Sequence, residues 1–199
     1  LQKKILQEAP IHPSTHPPIH PLPALSYISE QRLIWIPMAI AFKNTAQEET
    51  YNKVGDYLTA SPLFKDSIEI DPDTPKFHLS YGSARVDVEV LSWDVHPWDE
   101  RELAIVRACS CVTTDTPTEA VVMRFLLQEN ARMRFGSFQL GSNQQILFAD
   151  TVLGGENMDL MELQACILSV VTIADTYDEL IVEKFGGVRG SDRIPVTAP

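Results

Sequence analysis

The strongest constraint in the sequence is the stretch from residue 159 to 185. Leu160, Leu163, Ile167, Val170, Val171, Ala174, Tyr177 and Ile181 recur there at helical spacing. Asp159 and Glu162 form a capping box at its start, and Gly186-Gly187 supplies a stop. The pattern predicts one long amphipathic helix, and an apolar stripe of that kind can leave water only against another element of the fold.

Two further helices are expected from the same kind of cap. Thr45 with Glu48 opens a segment over about 45–60 that carries Tyr51, Val54 and Leu58 on one face, and Ser61-Pro62 ends it because the residue before proline avoids the α region. Thr116 with Glu119, and Pro117 as the first helical residue, predict a helix over about 117–133 showing Val121, Val122, Phe125 and Leu126. Between these two the period changes to two. Segments 67–71, 76–81 and 84–91 alternate, most clearly at Val86, Val88 and Val90, with Asp87 and Glu89 facing the other way. Turns are expected at Pro72-Asp73-Thr74-Pro75 and at Gly82-Ser83. Residues 103–113 are apolar on both faces and read as a central strand. Residues 136–140 and 145–149 form a hairpin across Gly141-Ser142-Asn143. The resulting order, α-β-β-β-(β)-α-β-β-α, predicts an α+β fold in which helices pack on an antiparallel β-sheet.

Composition excludes several classes of function. The chain has 199 residues, 44% hydrophobic and 22% charged, which suits one globular domain with a tail. Sixteen Lys and Arg against 27 Asp and Glu give a formal charge of −11, the wrong sign for a phosphate backbone, so nucleic acid is not an expected partner. The longest apolar run, Leu33 to Phe42, contains Pro37 and is half the length of a membrane span, so no membrane insertion is expected. Cys109, Cys111 and Cys166 are odd in number and lack a disulfide spacing, which fits a reducing, cytoplasmic setting. Residues 1–37 hold seven of the 14 prolines and three of the five histidines with no periodicity, and are expected to be a disordered tail. Met38 stands just before the first patterned helix and could be the native start. The remaining sequence carries 13 basic and 25 acidic residues. The ordered domain is expected over 38–187, followed by a flexible tail over 188–199.

The final third combines Asn130, Phe135-Gly136-x-Phe138, Leu153-Gly154-Gly155 and Ala174-Asp175 in the helix that ends at the glycine pair. In order and in these residues, the segment from about Lys43 to Gly187 resembles the YbjN family and the related type III secretion chaperone-like fold, and it is most similar to cyanobacterial members. The resemblance implies a non-enzymatic, chaperone-like protein that binds a segment of a protein client. It also implies a homodimer, and a role in assembling a photosynthetic or carboxysomal complex. The motif residues are structural positions: Phe135 and Phe138 would pack helix ends on the sheet, and Gly136 would permit a tight entry.

No motif spells out catalysis, a metal or a cofactor, and none is expected. His12, His16 and His20 are spaced four apart, but the intervening prolines prevent the helix that would align them on a metal. Trp93, His96 and Trp98 lie in a loop between strands, where tryptophan often contributes to protein recognition, and they are the candidate partner-binding residues. The competing reading of the indoles is core packing. Asp87, Glu89, Asp94, Asp99 and Glu100 would make one end of the sheet acidic and favour basic partner segments. Cys109 and Cys111 read as buried packing residues. The alternative function is a small-molecule sensor or enzyme with a pocket near Trp93, His96 and Trp98. A closed apolar pocket with convergent His96, Asp94 and Asp99 would favour it, and an open concave sheet would favour the chaperone. A permanent structural subunit is the third possibility.

Overall fold

The computed structural model describes residues 40–82, 84–93 and 102–193, all within the compact unit that spans Met38–Pro199. The expected tail over 1–37, with His12, His16 and His20, lies outside the described residues.

The order of elements is helix α1 (Thr45–Ala60), strands β1 (Glu69–Ile70), β2 (Lys76–Tyr81), β3 (Ala84–Ser92) and β4 (Ala104–Thr114), helix α2 (Ala120–Asn130), strands β5 (Ser137–Leu140) and β6 (Ile146–Leu153), helix α3 (Leu160–Phe185), strand β7 (Val188–Arg189) and a short 3-10 turn (Gly190–Arg193). The strands form one antiparallel sheet in the order β1-β2-β3-β4-β6-β5, with β7 paired to the end of β4. This is the α+β fold read from the sequence, and β4 is central as its two-sided apolar character implies.

Period-two alternation places Phe77, Leu79, Val86, Val88, Val90, Val106, Ala108 and Phe148 on one face of the sheet. All of them are buried in a single core with Leu163, Ile167, Val170, Val171, Ala174 and Ile181 of α3. Helix α1 adds Val54 and Leu58, and Tyr51 stacks on Phe77 with ring centroids 4.6 Å apart.

The helix ends agree with the sequence in one case and differ in two. Asp159 caps α3, its carboxylate accepting from the N–H groups of Met161 (2.7 Å) and Glu162 (3.4 Å). At α1 the sequence predicts Thr45 as the cap, but Asn44 fills that place, accepting from the Gln47 N–H at 2.8 Å. The reason is that Gln47 is itself held, its side chain donating to the Val90 carbonyl at 2.7 Å and so fixing the first turn to β3. At α2 the expected start at Pro117 moves to Ala120, with no side-chain cap. Thr116 is fully buried, and its hydroxyl is occupied by the Thr113 hydroxyl at 2.7 Å and the Gly186 carbonyl at 3.3 Å, so it cannot cap a helix. It ties the end of β4 to the end of α3 instead.

The C-terminal tail expected over 188–199 is ordered at its start. Strand β4 runs past the beginning of β3, and Val188 and Arg189 pair with the backbone of Thr114 and Thr113 there. An unpaired stretch of strand inside the fold leaves backbone donors and acceptors unsatisfied, so the segment after α3 is drawn into the sheet. Residues 194–199 lie outside the described residues.

The Asn130 and Phe135-Gly136-x-Phe138 motif has a direct physical role. Strand β5 is at the margin of the sheet, and the Asn130 carboxamide accepts from the Phe138 N–H at 2.7 Å and donates to the Phe138 carbonyl at 3.1 Å. One side chain thus stands in for a neighbouring peptide unit on an edge strand. Gly136 has φ of 65°, and a Cβ there would lie 2.7 Å from the Phe148 ring, so only glycine enters β5 at this angle. Asn130→Ala removes both bonds to a partly buried strand and should cost about 1–3 kcal/mol, lowering Tm by roughly 3–10 °C in a thermal scan. A melting point within one degree of wild type would show that the edge is satisfied in another way.

Candidate functional site

The face of the sheet turned away from the core is polar along much of β2 and β3 and mixed on β4 and β6. Register sets Lys76, Glu89 and Arg107 side by side on β2, β3 and β4, with His78, Asp87 and Cys109 in the next row. Glu89 lies between two cations, 2.7 Å from Lys76 Nζ and 3.2 Å from Arg107 Nη1. Arg107 also donates to the Gln139 carboxamide oxygen on β5 at 3.0 Å. His78 sits between two carboxylates, with Nδ1 2.7 Å from Asp87 and Nε2 3.6 Å from Asp71. Backbone N–H groups of Asp73 and Thr74 bind Asp71 and hold its carboxyl below the usual range, the Asp73 contact being the largest cause.

These pairs involve two of the five carboxylates expected to make one end of the sheet acidic. Asp87 and Glu89 are matched by cations on the flanking strands, so the face is a charge-balanced lattice; Asp94, Asp99 and Glu100 lie outside the described residues. The cations that neutralise Asp87 and Glu89 come from segments 11 or more residues away in sequence, and only strand register brings them together.

A cavity of about 580 Å³ opens on this face. His78, Asp87, Arg107, Cys109 and Leu147 line one part of it. It continues to the place where β7 takes over from β3 beside β4, and there Thr114, Asp175, Asp178 and Ser191 line it. Asp178 was not singled out by the sequence pattern. It occupies a core-facing position of α3 between Ala174 and Ile181, and it is 8% exposed.

Of the residues expected to contact a partner, Trp93 closes β3, its N–H donating to the Leu103 carbonyl at 2.8 Å, and its side chain is half-buried. His96 and Trp98 lie outside the described residues. The Cys109 and Cys166 thiols are not activated: burial raises the Cys109 thiol, and burial with the nearby Asp150 carboxylate pushes Cys166 up to about 12. Among the described residues no group of three or more His, Cys, Asp or Glu side chains has the geometry to hold a metal ion, and no helix is long and apolar enough to cross a membrane.

A family model described as "T3SS (YopN, CesT) and YbjN peptide-binding chaperone 1" matches residues 58–193. The chain belongs to this family. No curated protein matches it. The match runs from the end of α1 through the 3-10 turn and so takes in the whole sheet, α2 and α3. Membership in a family of peptide-binding chaperones supports a chaperone-like, protein-binding role and points away from catalysis. In this member of the peptide-binding chaperone family, a Cβ on Gly154 would lie 2.7 Å from the Thr50 methyl, and the Thr50 hydroxyl accepts from the Gly155 N–H at 2.7 Å, so the pair lets β6 turn beneath α1.

Burial alone would raise the Glu89 carboxyl, but Lys76 and Arg107 outweigh it and hold the group below the usual glutamate range. The folded state therefore binds this proton more weakly than the unfolded chain. Stability from the pairing is present above the ordinary glutamate value of about 4.3 and is lost as pH falls through the lowered folded value. Glu89→Gln should be less stable than wild type at about pH 7 and converge with it toward about pH 3. Melting points measured across that range test this, and curves that stay parallel would refute it.

Proposed function

We propose that the protein is a non-enzymatic assembly chaperone that holds a segment of a client protein along the open face of the sheet. The observation that carries this reading is the cavity that opens on the polar face, in a chain whose family is one of peptide-binding chaperones. Addition of a client strand at β5 is disfavoured, because Asn130 already occupies the outward hydrogen-bonding groups of Phe138. The open face remains, with an aliphatic row of Leu91, Ile105 and Leu153 set next to the ion-pair rows. A segment laid across both rows would meet apolar contact at one end and hydrogen-bonding groups at the other. Trp93, which follows β3 beside the aliphatic row, is proposed as an additional client contact together with His96 and Trp98. The client we propose is a subunit awaiting assembly, of a photosynthetic or carboxysomal complex as the cyanobacterial resemblance implies.

A photo-reactive benzoylphenylalanine at Leu147, inside the cavity, should give a protein adduct in native lysate, and the same group at exposed Met161 on the first turn of α3 should not. Trp98→Ala should reduce the adduct at Leu147. If position 147 yields no adduct, the client does not lie on this face.

A homodimer belongs to the same reading, with α2 as its contact. Helix α2 buries Val122 and Leu126 and leaves Val121, Met123 and Leu127 exposed, Leu127 at 69%. Two copies of α2 crossing antiparallel would set Met123 against Leu127 and Glu119 against Arg132 of the other copy, matching apolar to apolar and acid to base. Leu127→Glu should convert a dimer to a monomer in sedimentation velocity without changing Tm. A variant that sediments like wild type would place the contact elsewhere.

A further inference from the structure

The motif residue Phe135 contributes little to the core. Phe138 packs as its position implies, 6% exposed and in edge contact with the Phe148 and Tyr177 rings, whereas Phe135 does not pack on the sheet and stays 60% exposed. Its outward setting is built into the backbone. The Met133 N–H donates to the Glu129 and Asn130 carbonyls at the end of α2, and β5 begins directly after Gly136, whose φ of 65° admits no side chain against the Phe148 ring. Residues 133–136 are therefore held at both ends, and an aromatic ring presented by a fixed segment loses little freedom when a partner covers it.

Phe135 lines a groove of about 360 Å³ between this connection and α3. The half-buried side chains of Met133, Leu168 and Ile173 line it as well, together with exposed Arg134 and Thr172. Aromatic residues, Met and Arg are the types enriched where proteins meet. The charge at this place is opposite to that of the chain as a whole. Against a formal net charge of −11, residues 131–149 contain Arg132 and Arg134 and no acid, and residues 163–174 of α3 contain no charged side chain. Arg132 is matched by Glu129 at 2.9 Å, but among the described residues Arg134 has no ion-pair or hydrogen-bond partner. Asp150 accepts from the Ser169 hydroxyl at 3.4 Å and does not line the groove. An exposed guanidinium next to an apolar groove matches a carboxylate carried beside a bulky apolar side chain, because the planar fork of arginine can pair with both carboxylate oxygens. Acids elsewhere on the surface are screened beyond about 8 Å at physiological salt.

We propose that this groove is a docking site for an acidic segment of a partner protein, in which an aromatic or aliphatic side chain fills the space over Met133, Leu168 and Ile173 against Phe135 and an adjacent carboxylate pairs with Arg134. The inference goes beyond the client reading and does not rest on it, since the groove shares no lining residue with the client cavity.

The probes are N-acetylphenylalanine, which joins an aromatic ring to a carboxylate, and its neutral counterpart N-acetylphenylalaninamide, followed by amide and methyl NMR shifts of the full chain. The acid should give saturable shifts at Phe135, Leu168 and Ile173 and bind at least threefold more tightly than the amide. Arg134→Gln should abolish that preference, and Phe135→Ala should weaken both probes at least threefold. Both substitutions are at exposed positions and should leave Tm within about 2 °C of wild type, so that a loss of binding is not a loss of fold. Absence of shifts at the groove, equal binding of acid and amide, or an undiminished preference in R134Q would overturn the proposal, whatever becomes of the adduct at Leu147. Concentration-dependent sedimentation that F135A abolishes, with neither probe bound, would assign the groove to a second copy of this chain and overturn the proposal equally.

Discussion

Everything in this fold depends on the burial of one sheet face beneath α3. The stripe of Leu163, Ile167, Val170, Val171, Ala174 and Ile181 covers the inward side chains of β3, β4 and β6, and these residues are the centre of the single core. Removal of that apolar surface from water is the main favourable term available to an acidic domain of this size. It also decides the orientation of every strand. Once Val86, Val88 and Val90 point inward, Asp87 and Glu89 must point outward, and a shift of one residue would put the carboxylates in the core.

The outward face is therefore a consequence of the core, and its chemistry follows from register. Lys76, Glu89 and Arg107 neutralise one another across three strands, and His78 is held between Asp71 and Asp87. Half-buried pairs of this kind contribute modestly to stability. Their larger effect is to leave the face polar with the charges of Asp87 and Glu89 matched by neighbouring cations. Asp178, buried at a core-facing position, interrupts the apolar stripe of α3 at the far end.

Polar side chains at the joints fix how the elements meet. The Asn44 and Gln47 pair locks α1 to β3, and Thr50 receives the turn after β6. Thr116 links β4 to the end of α3. Asn130 finishes the β5 edge. Each of these residues reads in sequence as an ordinary helix-capping or turn residue, because Thr and Asn have the same donors and acceptors in either role. Thr116 shows the difficulty plainly: the Thr116, Pro117 and Glu119 spacing is a good helix start, yet the hydroxyl is spent on two partners that no local window contains.

The sequence by itself determined whatever depends on neighbours a few residues apart. The helical period of 160–185 with its Asp159 cap, the alternation of 76–81 and 84–91, the two-sided apolar strand 104–114 and the hairpin after Gly136 all stand where periodicity put them, and together they specify an α+β sheet backed by helices. Tertiary structure alone decided which distant groups meet: that Lys76 and Arg107 flank Glu89, that Val188 and Arg189 complete the edge of β4, and that Thr114 and Asp178 line one cavity with His78 and Arg107. The physical reason is that periodicity records which face a side chain takes, whereas its partner across the sheet is set by register and by the loop closures that bring separate segments side by side.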